Sequence, residues 1–316
     1  MIIIEEGQLE QFVKELDALK PQSFPIFKLA ENHLLKNSFA WPGIQFVVDR
    51  FPNFTACIVG PKPDTEDYVP RWEHYVYNAL ATNLDNFKQL IEEPGFINWD
   101  RACYFEEIPA NLLEILEEVF DRHGETIGPK QRADLTTTGW TAKPADVVAA
   151  LKRMPPGFTV RPLAREEMKV VHDLWDYGGR SPETLKYLYY LYDHHFPSTG
   201  IYTDDNKLIG FNITGDDMSL GAGYMLPEYR GRGLHNLVGA GICRQMMDIG
   251  QETVFAFVYE GNTASQKSAT KGGAMKDDTW KLVYVLYKPK VVAADDGMIK
   301  WFNDYLRFTG QELLKV

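Results

Sequence analysis

Apolar positions along this chain follow two rhythms, and the switches between them lay out its elements. Leu9, Phe12, Val13, Leu16 and Leu19 recur at three and four residues, which predicts a helix over 7–20. Two β-rich runs follow, Ile44 to Val48 and Phe54 to Val59, with Pro52-Asn53 as the turn between them. Helical stripes predict helices over 72–92 and 109–122; Trp72, Tyr75, Val76, Ala79 and Leu80 line the first. Residues 123–156 mix Gly, Pro, Thr and Lys and close on Pro155-Pro156-Gly157. That change of composition places a domain boundary there and divides the chain into 1–150 and 151–316.

The pattern then starts afresh. Phe158 to Leu163 reads as a short strand, followed by helices over 165–176 and 181–194. Strands come next at Gly200–Thr203, Leu208–Thr214 and Met218–Met225, with Asp204-Asp205-Asn206 turning the chain between the first two. Leu234, Leu237, Val238, Ile242 and Met246 then share one helix face. A strand at Thr253–Tyr259, a helix over 262–271 and a strand at Trp280–Tyr287 complete the order βααβββαβαβ. That order predicts an α+β domain, a mixed sheet with helices on both faces. The first half has strands and helices in a loosely similar order and reads as a degenerate copy of the second.

The 316 residues and 45% hydrophobic content suit two domains with sizeable cores. Thirty-three basic and 44 acidic residues give a net charge of −11, which argues against nucleic acid or an anionic membrane as a partner. An anion site must therefore be local. No apolar run reaches the length of a membrane span. Met1-Ile2-Ile3-Ile4 runs at once into Glu5 and Glu6, too short for a secretory signal and too acidic for a mitochondrial presequence, so a cytoplasmic location is expected. Cys57, Cys103 and Cys243 are too widely spaced for a disulfide framework or a CxxC metal site. His194-His195 point apart on a helix, and no HExxH accompanies them, so no metal is expected.

Candidate chemistry gathers at Leu226-Pro227-Glu228-Tyr229-Arg230-Gly231-Arg232-Gly233-Leu234-His235, between a predicted strand and a predicted helix. A turn of this kind bares backbone N–H groups at a helix N-terminus, where the dipole also favours an anion. Gly231 and Gly233 let the backbone approach a ligand, and Arg230 and Arg232 add positive charge. The glycine spacing fits neither GxGxxG nor GxxxxGK[ST]. The backbone of Arg230 to His235 thus reads as a pyrophosphate cradle. Gly221 and Gly223 in the preceding strand suggest a bulge or a splayed edge. Splaying that strand from Thr253–Tyr259 would open a slot.

Arg230-x-x-Gly233 resembles the acyl-CoA-binding turn of the GCN5-related N-acetyltransferase (GNAT) superfamily, Q/R-x-x-G-x-G/A, with His235 in place of the last small residue. Two further stretches, Phe46 to Pro52 and Pro94 to Trp99, resemble the N-terminal signatures of the glycine N-acyltransferase family. Leu226 to Arg230 with Gly233-Leu234 resembles that family's CoA turn. The resemblance runs from about residue 40 to about 288. It implies transfer of an acyl group from acyl-CoA to the amine of glycine or another small amine, with CoA as co-substrate. It also leaves a mitochondrial location open.

Such a reaction needs an oxyanion donor, a base and a proton for the leaving thiolate. Gly223, Tyr224 and Met225 are placed to offer the donor, and Tyr224, Met225 and Leu226 to contact the cofactor arm. Counting back from the CoA turn, the position of the family's glutamate is Ser219, and Asp217 two residues earlier shares its strand face, which makes Asp217 the candidate base. The superfamily often sets a tyrosine seven residues after an Asn in the last helix. Here Asn262 is followed at that distance by Ala269, with Ser265 and Ser268 nearby, and Ser268 is the candidate donor. Asn262 and Ser265 serve either CoA or an ordinary helix cap. Tyr187, Tyr189, Tyr190, Tyr192 and Phe196 offer walls for an acceptor or acyl pocket, or simple core packing. The first half lacks an Arg/Gly cradle and is not expected to bind CoA. Two other readings stand beside acyl transfer to a small amine: a non-catalytic acyl-CoA-binding protein, and an N-acetyltransferase acting on proteins or peptides. Acyl length, acceptor and oligomeric state are not legible.

Overall fold

A two-residue strand, β1 (Ile2–Ile3), precedes α1 (Leu9–Asp17), whose Leu9, Phe12 and Leu16 face the core as their spacing predicts. α2 (Phe24–Leu35) was not expected. Phe24, Ile26, Phe27, Leu29 and Ala30 are all buried, so its apolar surface wraps round the helix and leaves no stripe. β2 (Ile44–Val48) and β3 (Ala56–Pro61) pair antiparallel, as expected of a hairpin. Of the single helix expected over 72–92, Trp72 and the two residues after it lie outside the described residues, and the rest is β4 (Tyr75–Ala81) and α3 (Leu84–Glu92). Val76 to Leu80 are buried on both faces of β4, and a run that is apolar on both sides satisfies a helical template as well as a strand template. β5 (Cys103–Pro109) escaped notice for the same reason. α4 (Leu113–His123), β6 (Gly124–Ile127), β7 (Thr137–Ala142) and α5 (Pro144–Ala149) follow.

The remaining elements come in the expected order. They are β8 (Phe158–Arg161), α6 (Met168–Leu174), α7 (Pro182–Asp193), β9 (Ser198–Thr203), β10 (Leu208–Thr214), β11 (Leu220–Met225), α8 (Leu234–Asp248), β12 (Val254–Tyr259), α9 (Thr263–Lys271) and β13 (Met275–Pro289). β11 begins at Leu220, because Gly215 to Ser219 form a turn rather than strand. This computed structural model describes residues 1–63, 65, 69, 75–127, 136–149, 154–175 and 182–290.

Two compact units result: Met1–Thr137 with the described part of Trp280–Val316, and Thr138–Thr279. Composition divides the chain at 150/151, whereas β7 and α5 group with the second unit and the strand from Trp280 groups with the first, an exchange that composition does not report. The first unit holds a mixed sheet in the order β1-β2-β3-β4-β5-β13, in which β4 and β5 run parallel. Its core centres on Phe105, which stacks on Tyr77 at 5.1 Å and meets Phe120 at 4.9 Å. Trp99 closes this core, stacked on His123 at 4.4 Å, and its carbonyl accepts the Tyr287 hydroxyl at 2.8 Å.

In the second unit, β8, β9, β10 and β11 form an antiparallel sheet, and β7 lies next to β12 in a separate sheet. Helices cover both faces of the four-stranded sheet. Thr199 accepts from Gln245 of α8 at 2.7 Å, and Ile201 packs with Leu234, Leu237 and Val238. On the opposite face, Ser198 and Ile213 line a small hollow with Met168 of α6, Leu191 of α7, and Tyr192 and Phe196.

Both units repeat one device. β5 carries Glu107 at φ 56°, reaches Pro109, makes a 3-10 turn over Ala110–Leu112 and enters α4. β11 carries Ala222 at φ 44°, reaches Pro227, makes a 3-10 turn over Pro227–Tyr229 and enters α8. Only the second inserts Arg230 to Gly233 ahead of the helix.

Two glycines of α8 test its packing. A Cβ at Gly241 would lie 2.6 Å from the Thr199 methyl and 2.7 Å from a Val160 methyl, whereas one at Gly239 meets nothing within 4 Å. In urea unfolding, Gly239→Ala is expected to stabilise by about 0.5–1 kcal/mol through helix propensity. Gly241→Ala is expected to lose about 1–3 kcal/mol from overpacking, which exceeds the same propensity gain.

Candidate active site

The site grows from an irregularity in β11. Phe211 pairs with Tyr224 and Ile213 with Gly221, so Asn212 of β10 faces two residues, Ala222 and Gly223. This is the bulge that the two strand glycines suggest, with Ala222 in the left-handed region. Leu226 donates its N–H to Ile209 at 2.8 Å. Strand alternation therefore turns the N–H and C=O of Met225 away from β10. Its carbonyl accepts Arg230 Nε at 2.8 Å, as that direction requires. β11 is the edge of its sheet, and β12 belongs to another. The two successive strands share no ladder, and the Met225 amide faces the side where a ladder would otherwise form.

Beyond β11 the backbone alternates in hand. Arg230 is extended (φ −68°, ψ 160°), Gly231 lies at φ 75°, and Gly233 at φ 76° caps α8. Such alternation turns successive N–H groups to one side and forms a nest for anions. Among the described residues, the amides of Gly231, Arg232, Gly233, Leu234 and His235 donate to no backbone carbonyl. Residues 231–233 are exposed, while Leu234 plugs the core with Met225 and Val238 and so anchors the helix start. Each arginine ties one N–H to the turn: Arg230 to Met225 O, and Arg232 Nη2 to Glu228 O at 3.0 Å. The Arg230 guanidinium lies 5.5 Å from the Tyr224 ring centre.

Asp217 and Ser219 stand in the buried turn before β11, not on the strand. Asp217 Oδ1 accepts the Ser219 N–H at 2.9 Å and the Ser219 hydroxyl at 2.7 Å. Tyr187 donates to Asp216 at 3.0 Å, which packs α7 against this turn. Asn262 Oδ1 accepts the Ser265 N–H at 3.0 Å, an N-cap for α9. These four residues thus make local bonds of their own.

His235 and Ser268 behave differently. The His235 ring folds back onto β11, where Nε2 lies 2.9 Å from the point a Cβ on Gly223 would occupy. Nδ1 lies 3.1 Å from Ser268 Oγ, which donates to Asn236 Oδ1 at 2.9 Å. Burial holds the His235 pKa below the ordinary histidine value. Two neighbours, Asn212 and Asn236, were not anticipated. A buried asparagine in an otherwise apolar strand was the available signal for Asn212.

Other groups are quieter. The three cysteines are free and buried, and burial pushes the Cys243 thiol up to about 12. Among the described residues, no cluster of His, Cys, Asp and Glu is arranged to hold a metal ion, and no helix is long and apolar enough to cross a membrane.

The family model for aralkyl acyl-CoA:amino acid N-acyltransferases matches residues 1–197. The chain belongs to this family. A second model, described as FR47-like protein, matches residues 198–280, which contain the cradle, His235 and Ser268. The family's reaction is acyl transfer from acyl-CoA to an amine. Solved structures agree on the fold. A Drosophila protein is 18% identical with a TM-score of 0.72, covering 92% of this chain and 99% of its own. A GCN5-related N-acetyltransferase from Kribbella flavida is 13% identical with a TM-score of 0.50, covering 83% and 95%. A tandem GNAT protein from the clavulanic acid biosynthesis pathway is 12% identical with a TM-score of 0.50, covering 92% and 97%. The chain is therefore a tandem GNAT fold, as the repeated strand–turn–helix device implies.

The nest depends on Gly233. Gly233→Ala places an L-residue at φ 76° and is expected to lower stability by about 1–2 kcal/mol in denaturant unfolding, although a Cβ there meets no atom within 4 Å.

Proposed function

We propose that this protein transfers the acyl group of an acyl-CoA to the amine of glycine or another small amine. The observation that carries this reading is the row of amides from Gly231 to His235 that donate to no backbone carbonyl among the described residues, set between a bulged edge strand and the N-terminus of α8. A diphosphate is the ligand that such a nest suits. Arg230 and Arg232 supply the positive charge, already oriented by their bonds to Met225 O and Glu228 O.

In this reading the pantetheine arm of CoA runs between β11 and β12, where no ladder occupies the strand edge. Its thioester carbonyl accepts the Met225 N–H, which stabilises the negative charge that grows on oxygen as the amine attacks. A main-chain donor fixed by the strand needs no reorganisation during the reaction. Tyr224 and Leu226 flank that amide. Asp217 and Ser219 shape the turn that starts β11, and Asn262 with Ser265 sets the start of α9. The hollow at Tyr192 and Phe196 is a candidate for acceptor or acyl contacts. CoA binding is assigned to the second unit alone, because the first enters α4 from Leu112 with no glycine nest.

Thiol release measured with a panel of acyl-CoAs, with and without glycine, tests the reaction. Release that depends on both substrates is expected. Acyl-CoA binding without acceptor-dependent release would favour a non-catalytic binder, and acetylation of a basic peptide alone would favour a protein acetyltransferase. The double variant Arg230→Ala, Gly233→Glu is expected to weaken CoA binding by at least about 100-fold in calorimetry, since a carboxylate would stand where phosphate belongs. Unchanged affinity would remove the cradle.

A further inference from the structure

We propose that His235 is the base of this site: its Nε2 takes a proton from the attacking amine and returns it to the departing CoA sulfur, while Ser268 and Asn236 fix the ring's tautomer. The proposal rests on the acyltransferase reading above and adds the group that moves the proton.

The ring's place is built by three elements. His235 stands in the first turn of α8, yet its imidazole leaves the helix and lies on the bulge of β11. Only glycine at 223 permits this, since a Cβ there would sit 2.9 Å from Nε2 and 3.4 Å from Cε1. Gly223 is two residues from Met225, the amide assigned to the thioester oxygen, and it is exposed. A thioester held on that edge therefore lies beside Nε2.

Hydrogen-bond chemistry assigns the proton. Asn236 Oδ1 is an acceptor only, so the Ser268 hydroxyl donates to it at 2.9 Å. The Ser268 oxygen then has a lone pair for His235 at 3.1 Å, and Nδ1 must carry the hydrogen. That leaves the lone pair on Nε2, the atom facing β11. The arrangement follows the logic of a base oriented by a partner on its other nitrogen. Here the partners are neutral, so they orient the ring without raising its affinity for a proton. The groups around the ring carry no charge: Gly223 of β11 lies under Nε2 with Asn212 of β10 beside the same point, and Ser268 of α9 meets Nδ1 and is itself bonded to Asn236 of α8.

An independent observation marks the same spot. Asn212 is 9% exposed, and among the described residues its Oδ1 has no hydrogen-bond partner. Its Nδ2 lies 3.6 Å from the Gly223 Cβ position that the His235 ring also approaches. A buried carbonyl without a donor is uncommon and calls for a ligand N–H, the group that both an amine acceptor and a pantetheine amide carry. The bulge, His235 and Asn212 thus converge on one point.

The balance is simple. The amine nitrogen forms a bond to the thioester carbon, and the C–S bond breaks. One N–H proton passes to Nε2 and from there to sulfur, giving an N-acyl amine and free CoA thiol. An acceptor that arrives as an ammonium sheds its extra proton to water first. Neutral His235 does this work, and burial favours the neutral form. The acid limb therefore falls below pH of about 6.5, with activity lost as pH drops through it.

The test compares wild type, His235→Gln and Ser268→Ala by calorimetry with acyl-CoA, by thiol release across pH, and by 15N NMR of labelled histidine. In the wild type, NMR is expected to find His235 neutral with its proton on Nδ1, a readout that needs no turnover. His235→Gln is expected to hold acyl-CoA within about threefold, to lower kcat by about 100-fold or more and to lose the acid limb. Ser268→Ala is expected to keep the limb, lose a smaller part of kcat and show a mixture of tautomers. A proton found on Nε2 in the wild type overturns the proposal, even if the glutamine variant fails to fold. So does a glutamine variant that turns over at the wild-type rate. Tighter acyl-CoA binding with faster release in that variant would make the ring a plug rather than a base. A wild type that binds no acyl-CoA overturns the cradle first, and this proposal with it.

Discussion

Among the described residues β11 has a ladder partner on one side only, and the proposed site follows from that. A central strand would spend the outward N–H and C=O of Met225 on a neighbour. Here β12 belongs to another sheet, so the carbonyl is free to hold Arg230 and the amide faces away from β10. The bulge at Ala222 and Gly223 is tolerable for the same reason, since an edge can absorb an extra residue without breaking a second ladder. An exposed strand edge is ordinarily a liability, and acyl-CoA binding would give this one a use.

Electrostatics at the cradle are local. The chain carries a net charge of −11, so its overall field repels an anion. In the proposed reading, main-chain amides and two tethered arginines would oppose that repulsion over a few ångströms, where dipoles and hydrogen bonds outweigh a screened distant field. A helix N-terminus needs no net charge to do this. The same amides would stay in place if surface charges elsewhere were altered.

The repeated device is informative in both units. Strand, left-handed residue, proline, 3-10 turn and helix recur at Glu107 to α4 and at Ala222 to α8. In the first unit the helix follows the turn directly and the neighbouring aromatic side chains fill a core. In the second, Arg230 to Gly233 intervene and hold the backbone open. Four residues, Arg230 to Gly233, thus separate the two copies of the device within this one chain.

Local chemistry made much of this legible from the sequence. Elements with one buried face, such as α1 and α8, announce themselves because burial on one side imposes a period. The glycine turn before α8 is legible because glycines at φ 75° and φ 76° and a helix start are properties of adjacent residues. Elements buried all round, such as α2, β4 and β5, lose that period and were missed or misread. Asp217 shows a second limit: a two-residue offset implies a shared face only where the chain is extended, and there it turns. What tertiary structure alone decided is who meets whom. Ser268 lies 33 positions after His235, and Gly223 lies 12 before it. Only the folding of α8 and α9 beside the bulge brings the three together, because side-chain contact between distant residues is set by packing and leaves no periodic trace in the chain.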